Sequence, residues 1–215
     1  MSAARAVLLD LDGTLADSRP GIEACFRHML TELGHDPAVA GDIRFAVGPP
    51  IAVSVRTLLE RYGDDRVDLG LSTYRERYST VGLYECSVFP GIAEMLAALK
   101  DAGRALCVAT SKRRDFADRV VDYLGLRPFL PKVYGALPGG GLDDKKDLLA
   151  EILRVEGFEA ATTTMVGDRL HDIHAARANA LRSIGVLWGY GGQVELQTAG
   201  ANFIVSMPAE IVGLV

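Results

Sequence analysis

Asp10 and Asp12 stand two residues apart where an apolar run, Val7-Leu8-Leu9, meets Gly13. The run reads as a buried strand, and in continued strand geometry both side chains point the same way. Two carboxylates on one side of a strand end repel each other. A divalent cation between them removes the repulsion, and an all-oxygen site of this kind suits magnesium. A carboxylate screened by such a cation can attack phosphorus. A neighbouring carboxyl group can protonate the departing oxygen and then deprotonate the water that hydrolyses the acyl phosphate. The competing reading of Asp12-Gly13 is a hairpin turn. Against it, no second strand is evident, because Ala16-Asp17-Ser18-Arg19-Pro20 leads into a helical pattern.

Three further stretches carry groups suited to the same chemistry. Gly167-Asp168-Arg169-Leu170-His171-Asp172 follows a second apolar run and again places a carboxylate at a strand end. Asp168 would complete a magnesium site with Asp10. Asp172 lies one helical turn on, able to bond a metal-bound water, to orient Lys145, or simply to cap the helix start. Thr110-Ser111-Lys112 follows a third run. A hydroxyl and the amides of a strand-to-helix turn cradle phosphate, although Thr110 also suits a helix cap. Lys112, Arg113 and Arg114 read as mostly solvent-facing, although one of them could assist electrostatically. Of Lys145 and Lys146, at most one turns inward, where it would neutralise phosphoryl oxygens and the nucleophile; the other would be solvated at a helix start. His171 and His174 have a spacing that suits a metal, but it also fits an exposed helix face.

The elements that must bring these groups together can be read from periodicity. Strands are expected at 104–110, 132–135, 163–168, 183–187 and 202–205 in addition to the first, with helices between them. This alternation implies a parallel sheet with right-handed crossovers. Such a sheet binds ligands beyond the carboxyl ends of its strands, where Asp10, Thr110 and Asp168 all lie. Residues 18–83 break the alternation with helical patterns alone. Ser18 is the candidate N-cap of the first helix, and Gly34-His35-Asp36-Pro37 and Val47-Gly48-Pro49-Pro50 are breaks. The expected organisation is an α/β core of residues 1–17 and 84–215 around a Rossmann-like parallel sheet, with an all-helical insert at 18–83 after the first strand.

Composition sets outer limits. A net charge of −5 argues against a general nucleic-acid surface. No apolar run is long enough for a membrane span, and the N-terminus does not read as a signal peptide. The three widely spaced cysteines, Cys25, Cys86 and Cys107, suggest thiols in a reducing compartment, hence the cytoplasm.

With Asp10-Leu11-Asp12-Gly13-Thr14-Leu15, Thr110, Lys145 and Gly167-Asp168-Arg169-Leu170-His171-Asp172 in this order, the chain resembles the haloacid dehalogenase superfamily of phosphohydrolases. Ala109-Thr110-Ser111-Lys112 and Ile184-Gly185-Val186-Leu187-Trp188-Gly189-Tyr190-Gly191 are similar to its phosphoglycolate phosphatase branch, in which the helical insert is a cap domain. The resemblance implies Asp10 as nucleophile and magnesium ligand. It implies Asp12 as general acid/base, binding metal through its backbone carbonyl. Thr110, Ser111 and Lys145 would hold the phosphoryl group, and Asp168 would be the third protein ligand of the metal. Asp12 argues against the dehalogenases that name the superfamily, which lack this second acid. Ala180 departs from the glycine that relatives often carry there. The loop before Lys145, with Pro138 and three glycines, departs from their basic-proline segment.

The expected function is magnesium-dependent hydrolysis of a small phosphorylated metabolite through an aspartyl phosphate, with phosphoglycolate a candidate. The cap would close over the site about hinges near Leu15–Ser18 and Tyr84–Val88 and carry substrate choice. Its candidate substrate-facing residues are Gly48-Pro49-Pro50 and Arg56, the latter able to pair with a carboxylate or second phosphate. The expected assembly is a monomer or homodimer, without nucleic-acid or membrane partners. A phosphomutase, a pyrophosphatase or a 5'-nucleotidase of the same fold, or a non-catalytic binding protein on this scaffold, are the alternatives.

Overall fold

A computed structural model describes residues 5–47, 49, 51–137 and 140–215. The chain divides into two compact units, Met1–Asp17 with Val88–Val215, and Ser18–Ser87.

The first unit is built on a six-stranded sheet of β1 (Ala6–Leu9), β4 (Ala105–Arg113), β5 (Lys132–Ala136), β6 (Thr163–Gly167), β7 (Arg182–Val186) and β8 (Phe203–Val205). Their order is β5-β4-β1-β6-β7-β8, and every pairing is parallel. β1 sits between β4 and β6, with Leu8 in register with Cys107 on one side and Met165 on the other. All four residues of β1 are buried, which explains an uninterrupted apolar run where a half-exposed strand would alternate. Alternation along the pleat divides the two faces. Leu8, Cys107, Ala109 and Met165 face one core, against Leu148, Leu149 and Ile152 of α6 (Lys145–Glu156) and Ala175 and Ala176 of α7 (Leu170–Ala178). The remaining helices of the unit are α4 (Ile92–Asp101), α5 (Arg114–Tyr123), α8 (Gln193–Ala199) and α9 (Ala209–Val212).

One local expectation needs correcting. A short strand, β2 (Ala16–Asp17), does follow the Asp12-Gly13 turn; it forms a two-stranded sheet with β3 (Ser87–Val88) instead of a hairpin with β1. The turn is tight: Gly13 N–H donates to Ala16 O at 2.8 Å, and Gly13 has φ +85°, a left-handed conformation that a side chain disfavours.

The second unit is helical: α1 (Arg19–Glu32), α2 (Ile51–Glu60) and α3 (Val67–Thr80), with short 3-10 turns between. Ser18 occupies the N-cap position of α1, with Pro20 in the first turn. Phe26 meets Tyr74 with ring centroids 4.7 Å apart, and Tyr74 stacks on Tyr78. Asp64 is pinned by His35 Nε2 at 2.6 Å and by Arg66 N–H at 2.8 Å; Arg66 and His35 hold its carboxyl well below the usual range. Gly48 and Pro50, named above as substrate-facing, lie outside the described residues, as do Pro138 and Gly139.

Ala180 has φ +56°, one of two non-glycine residues described in the left-handed region. A Cβ in that conformation costs roughly 1 kcal/mol. The substitution Ala180→Gly is therefore expected to raise stability by up to about 1 kcal/mol, read from chemical denaturation, with activity unchanged.

Candidate active site

The register of the sheet explains the convergence of acids. Asp10 follows β1 and donates its N–H to Val166 O at 2.9 Å, so it extends the ladder by one step. By the pleat it lies on the face of Leu8, the face covered by α6 and α7. Those two helices begin at the same end of the sheet, and each contributes a side chain there. Lys145, the first residue of α6, is 6% exposed; its Nζ lies 2.7 Å from Asp10 Oδ1 and bonds Asp172 Oδ1. Asp172, in the first turn of α7, is also buried, and its second oxygen accepts the Arg169 N–H at 3.0 Å. It therefore caps its helix and orients Lys145 at once. Lys146, one residue on, is 61% exposed beside Asp147.

Asp168, just beyond β6, is fully buried. Its Oδ2 accepts the Tyr190 N–H at 2.7 Å and its Oδ1 faces the Thr14 hydroxyl at 3.4 Å. Oxygens of Asp10, Asp168 and Asp172 lie within 4.8 Å of one another. Lys145 pairs with two of these three carboxylates, Asp10 and Asp172, while Asp168 takes the Tyr190 N–H. Burial first, and Asp172 and Asp10 next, push the Asp168 carboxyl up to about 8. Burial raises Asp10 as well, against the pull of Lys145. A cluster of hard oxygen donors with excess negative charge, too crowded to ionise fully alone, fits a divalent cation. Gly13 fits the same reading, because a Cβ there would overlap the Asp168 carboxylate.

These raised values carry a prediction. Asp10 and Asp168 hold protons in the folded, metal-free protein at pH values where the unfolded chain has lost them. Their contribution is thus fully present below the normal carboxylate range near 4 and is lost as pH rises towards 8. Thermal melting with chelator should fall over that window, and added magnesium should flatten the fall.

Asp12 turns to a different partner. The β1 ladder ends with the Asp10 N–H, and the Asp12 carboxylate lies 2.5 Å from Lys112 Nζ. Lys112 is only 7% exposed at its side chain, which corrects the solvent-facing expectation; Arg113 and Arg114, at 39% and 54%, do face solvent. The cause is β4, which runs on to Arg113, so that α5 begins at Arg114. For the same reason Thr110 is no helix cap: its Oγ1 accepts the Lys112 N–H at 3.2 Å, which leaves its O–H available as a donor. Ser111 is half-buried beside it.

A family profile for haloacid dehalogenase-like hydrolase matches residues 7–186, a span that runs from β1 through β7. The chain belongs to the haloacid dehalogenase-like hydrolases. It is 37% identical to a 5'-nucleotidase of Pseudomonas aeruginosa, over 89% of this chain and 86% of the relative. It is 34% identical to a phosphoglycolate phosphatase of Neisseria meningitidis, over 92% and 86%. It is also 38% identical to the tyrosine-protein kinase PtkA of Mycobacterium tuberculosis over 86% of this chain, spanning 62% of that protein. Its fold matches the crystal structure of a predicted phosphatase from Clostridium acetobutylicum with a TM-score of 0.88 at 32% identity, covering 99% and 98% of the two chains. It is a phosphohydrolase of the haloacid dehalogenase-like family, like the phosphatases around it in sequence and fold.

Around the acids of this hydrolase runs a clasp that periodicity did not reveal. The segment after β7 places Trp188 Nε1–H on Thr14 O at 2.9 Å, Tyr190 N–H on Asp168, and Tyr190 O–H on Asp17 Oδ1 at 3.0 Å. Glu195 Oε1, in α8, accepts both Arg169 Nε–H and Leu170 N–H at 2.8 Å, fixing the start of α7 from outside. The glycines of Trp188-Gly189-Tyr190-Gly191 are what permit the approach; a Cβ on Gly191 would collide with the backbone carbonyl of Asp168. Gly191→Ala should therefore displace Asp168, weakening by about tenfold or more any divalent-cation binding read in calorimetric titration. The sequence signal was the glycine alternation itself.

His171 and His174 lie exposed on α7 and belong to no ligand cluster among the described residues. Arg56 is exposed on α2 of the helical unit.

Proposed function

We propose that this hydrolase cleaves a small phosphomonoester in two steps at Asp10. The Asp10 carboxylate attacks phosphorus, the bond from phosphorus to the ester oxygen breaks, and Asp12 gives that oxygen its proton. Asp12, now a carboxylate, takes a proton from water; the water oxygen attacks phosphorus, the bond to Asp10 breaks, and inorganic phosphate leaves. Thr110, Ser111 and Lys145 hold the phosphoryl oxygens throughout. Asp10 and Asp168 through their carboxylates, and Asp12 through its backbone carbonyl, would hold magnesium. When bound, the ion shields the attacking carboxylate from the phosphoryl oxygens. Asp172 keeps Lys145 on station.

The observation that carries the reading is the buried carboxylate cluster of Asp10, Asp168 and Asp172, with Lys145 on Asp10 and Asp172 and a separate carboxyl, Asp12, near enough to act on Asp10. The helical unit acts as a cap that carries substrate choice, with Arg56 available for a second anionic group on the substrate. The substrate reading is phosphoglycolate, from the branch resemblance and the Neisseria relative. A nucleoside monophosphate is the second reading, favoured by the Pseudomonas relative. The protein acts in the cytoplasm as a monomer or homodimer, without nucleic-acid or membrane partners. The free thiols Cys25, Cys86 and Cys107 support the reducing compartment; among the described residues no helix is long and apolar enough to cross a membrane. Turnover of phosphoglycolate, nucleoside monophosphates, sugar phosphates and pyrophosphate, with magnesium or chelator, tests the chemistry and the substrate class. Equal rates with and without the metal would overturn the chemistry.

A further inference from the structure

Lys112 is a largely enclosed charge that the two-step chemistry leaves without a task. Its ammonium is 2.5 Å from Asp12 Oδ1, with 7% of the lysine side chain and 16% of the aspartate side chain exposed. Three backbone features put it there. The β4–β5 pairing shifts register between Ala109 and Arg113. Thr110 Oγ1 ties down the Lys112 N–H. Gly135 of β5 lets the Lys112 carbonyl approach so closely that a Cβ would overlap it. A lysine loses much rotamer freedom when held in this way, and a mere solvated charge would not be so held.

The geometry points to Lys112 as a positioning residue for Asp12, an inference that rests on the two-step reading above. Asp12 must meet two different atoms in turn, the departing oxygen and then the incoming water, from one location. Beyond Asp10 the backbone leaves the six-stranded sheet, and an isolated bridge to Ala16 holds the Asp12 main chain but not its side chain, which Lys112 anchors. Lys112 does this from the strand that also carries Thr110, and so keeps acid/base and phosphate cradle in fixed relation. A misplacement of about 1 Å at such a group costs on the order of 100-fold. The second step suffers most when the ester is an aryl phosphate, whose leaving group needs little protonation.

The test uses the whole chain with magnesium and p-nitrophenyl phosphate. Lys112→Met should lower kcat by about 10- to 100-fold with KM changed less than about twofold. It should also show a pre-steady-state burst of nitrophenolate, because phosphorylated Asp10 accumulates. Lys112→Arg, which keeps a cation, should recover most of kcat and abolish the burst. On an Asp12→Asn background, Lys112→Met should cost nothing further, since the two act as a unit. Melting curves report folding, and Lys112→Gln replaces the methionine variant should that one not fold. A raised KM with unchanged kcat, an equal further loss on the Asp12→Asn background, or an unchanged kcat would each overturn the inference. Failure of the two-step reading looks different: wild type and Asp10→Asn would then be equally active or equally inert, and the role of Lys112 would fall with it.

Discussion

Asp10→Asn is expected to abolish turnover while leaving a folded protein. The amide has nearly the volume of the carboxylate and can still accept a hydrogen bond from Lys145, which lies 2.7 Å from Asp10 Oδ1. It cannot serve as the attacking oxygen. Loss of a nucleophile lowers kcat by at least about 10³-fold. The structure adds a sign that a simple loss-of-function argument lacks. Burial, together with Asp172 and Asp12, already disfavours the Asp10 carboxylate in the metal-free protein. A neutral amide removes that penalty, so the variant with chelator should melt no lower than wild type at pH 8, and its gain on adding magnesium should shrink. Activity can be followed with an aryl phosphate and stability by circular dichroism. Turnover within tenfold of wild type would remove Asp10 from the chemistry.

Lys145→Met should have the largest combined effect, on activity and on stability together. The ammonium is buried between Asp10 and Asp172, and their charges keep it protonated despite burial. Methionine fills the space of the stem but leaves two buried carboxylates facing each other without their cation. Removing one partner from a buried charge network costs about 3–5 kcal/mol. For a chain of this size that is roughly 10 °C in melting temperature, at about 2–4 °C per kcal/mol. The sign with pH is distinctive. Without the lysine both acids gain from protonation, so the deficit should be smaller at pH 5 than at pH 8, and a divalent cation should recover more stability than it adds to wild type. Catalysis should fall by about 10²- to 10³-fold, the usual loss when a group stabilising transition-state charge is removed. Lys146→Met is the control: its side chain is 61% exposed beside Asp147, and the variant should match wild type in both assays.

The sequence by itself determined the strands and what stands at their ends. Val7-Leu8-Leu9 and Thr163-Thr164-Met165-Val166 are legible because a strand buried on both faces must be almost continuously apolar, so an aspartate that closes the run is conspicuous. The helical periodicity of residues 18–83 was legible for a similar reason: one buried face imposes its spacing on the chain. The rest was settled by contacts between residues far apart in the chain, which leave no mark on local periodicity. The strand order β5-β4-β1-β6-β7-β8 is one such case, since it places β1 between two strands about 100 and 160 residues away. The choice of Lys145 over Lys146 depended on which side of α6 meets the face of Leu8. Lys112 read as a solvated charge in a basic run, and only the extension of β4 and the partner 100 residues earlier turn it inward. The Tyr190 hold on Asp168 uses a backbone N–H, which every residue except proline carries, so the flanking glycines mark a close approach without naming its partner.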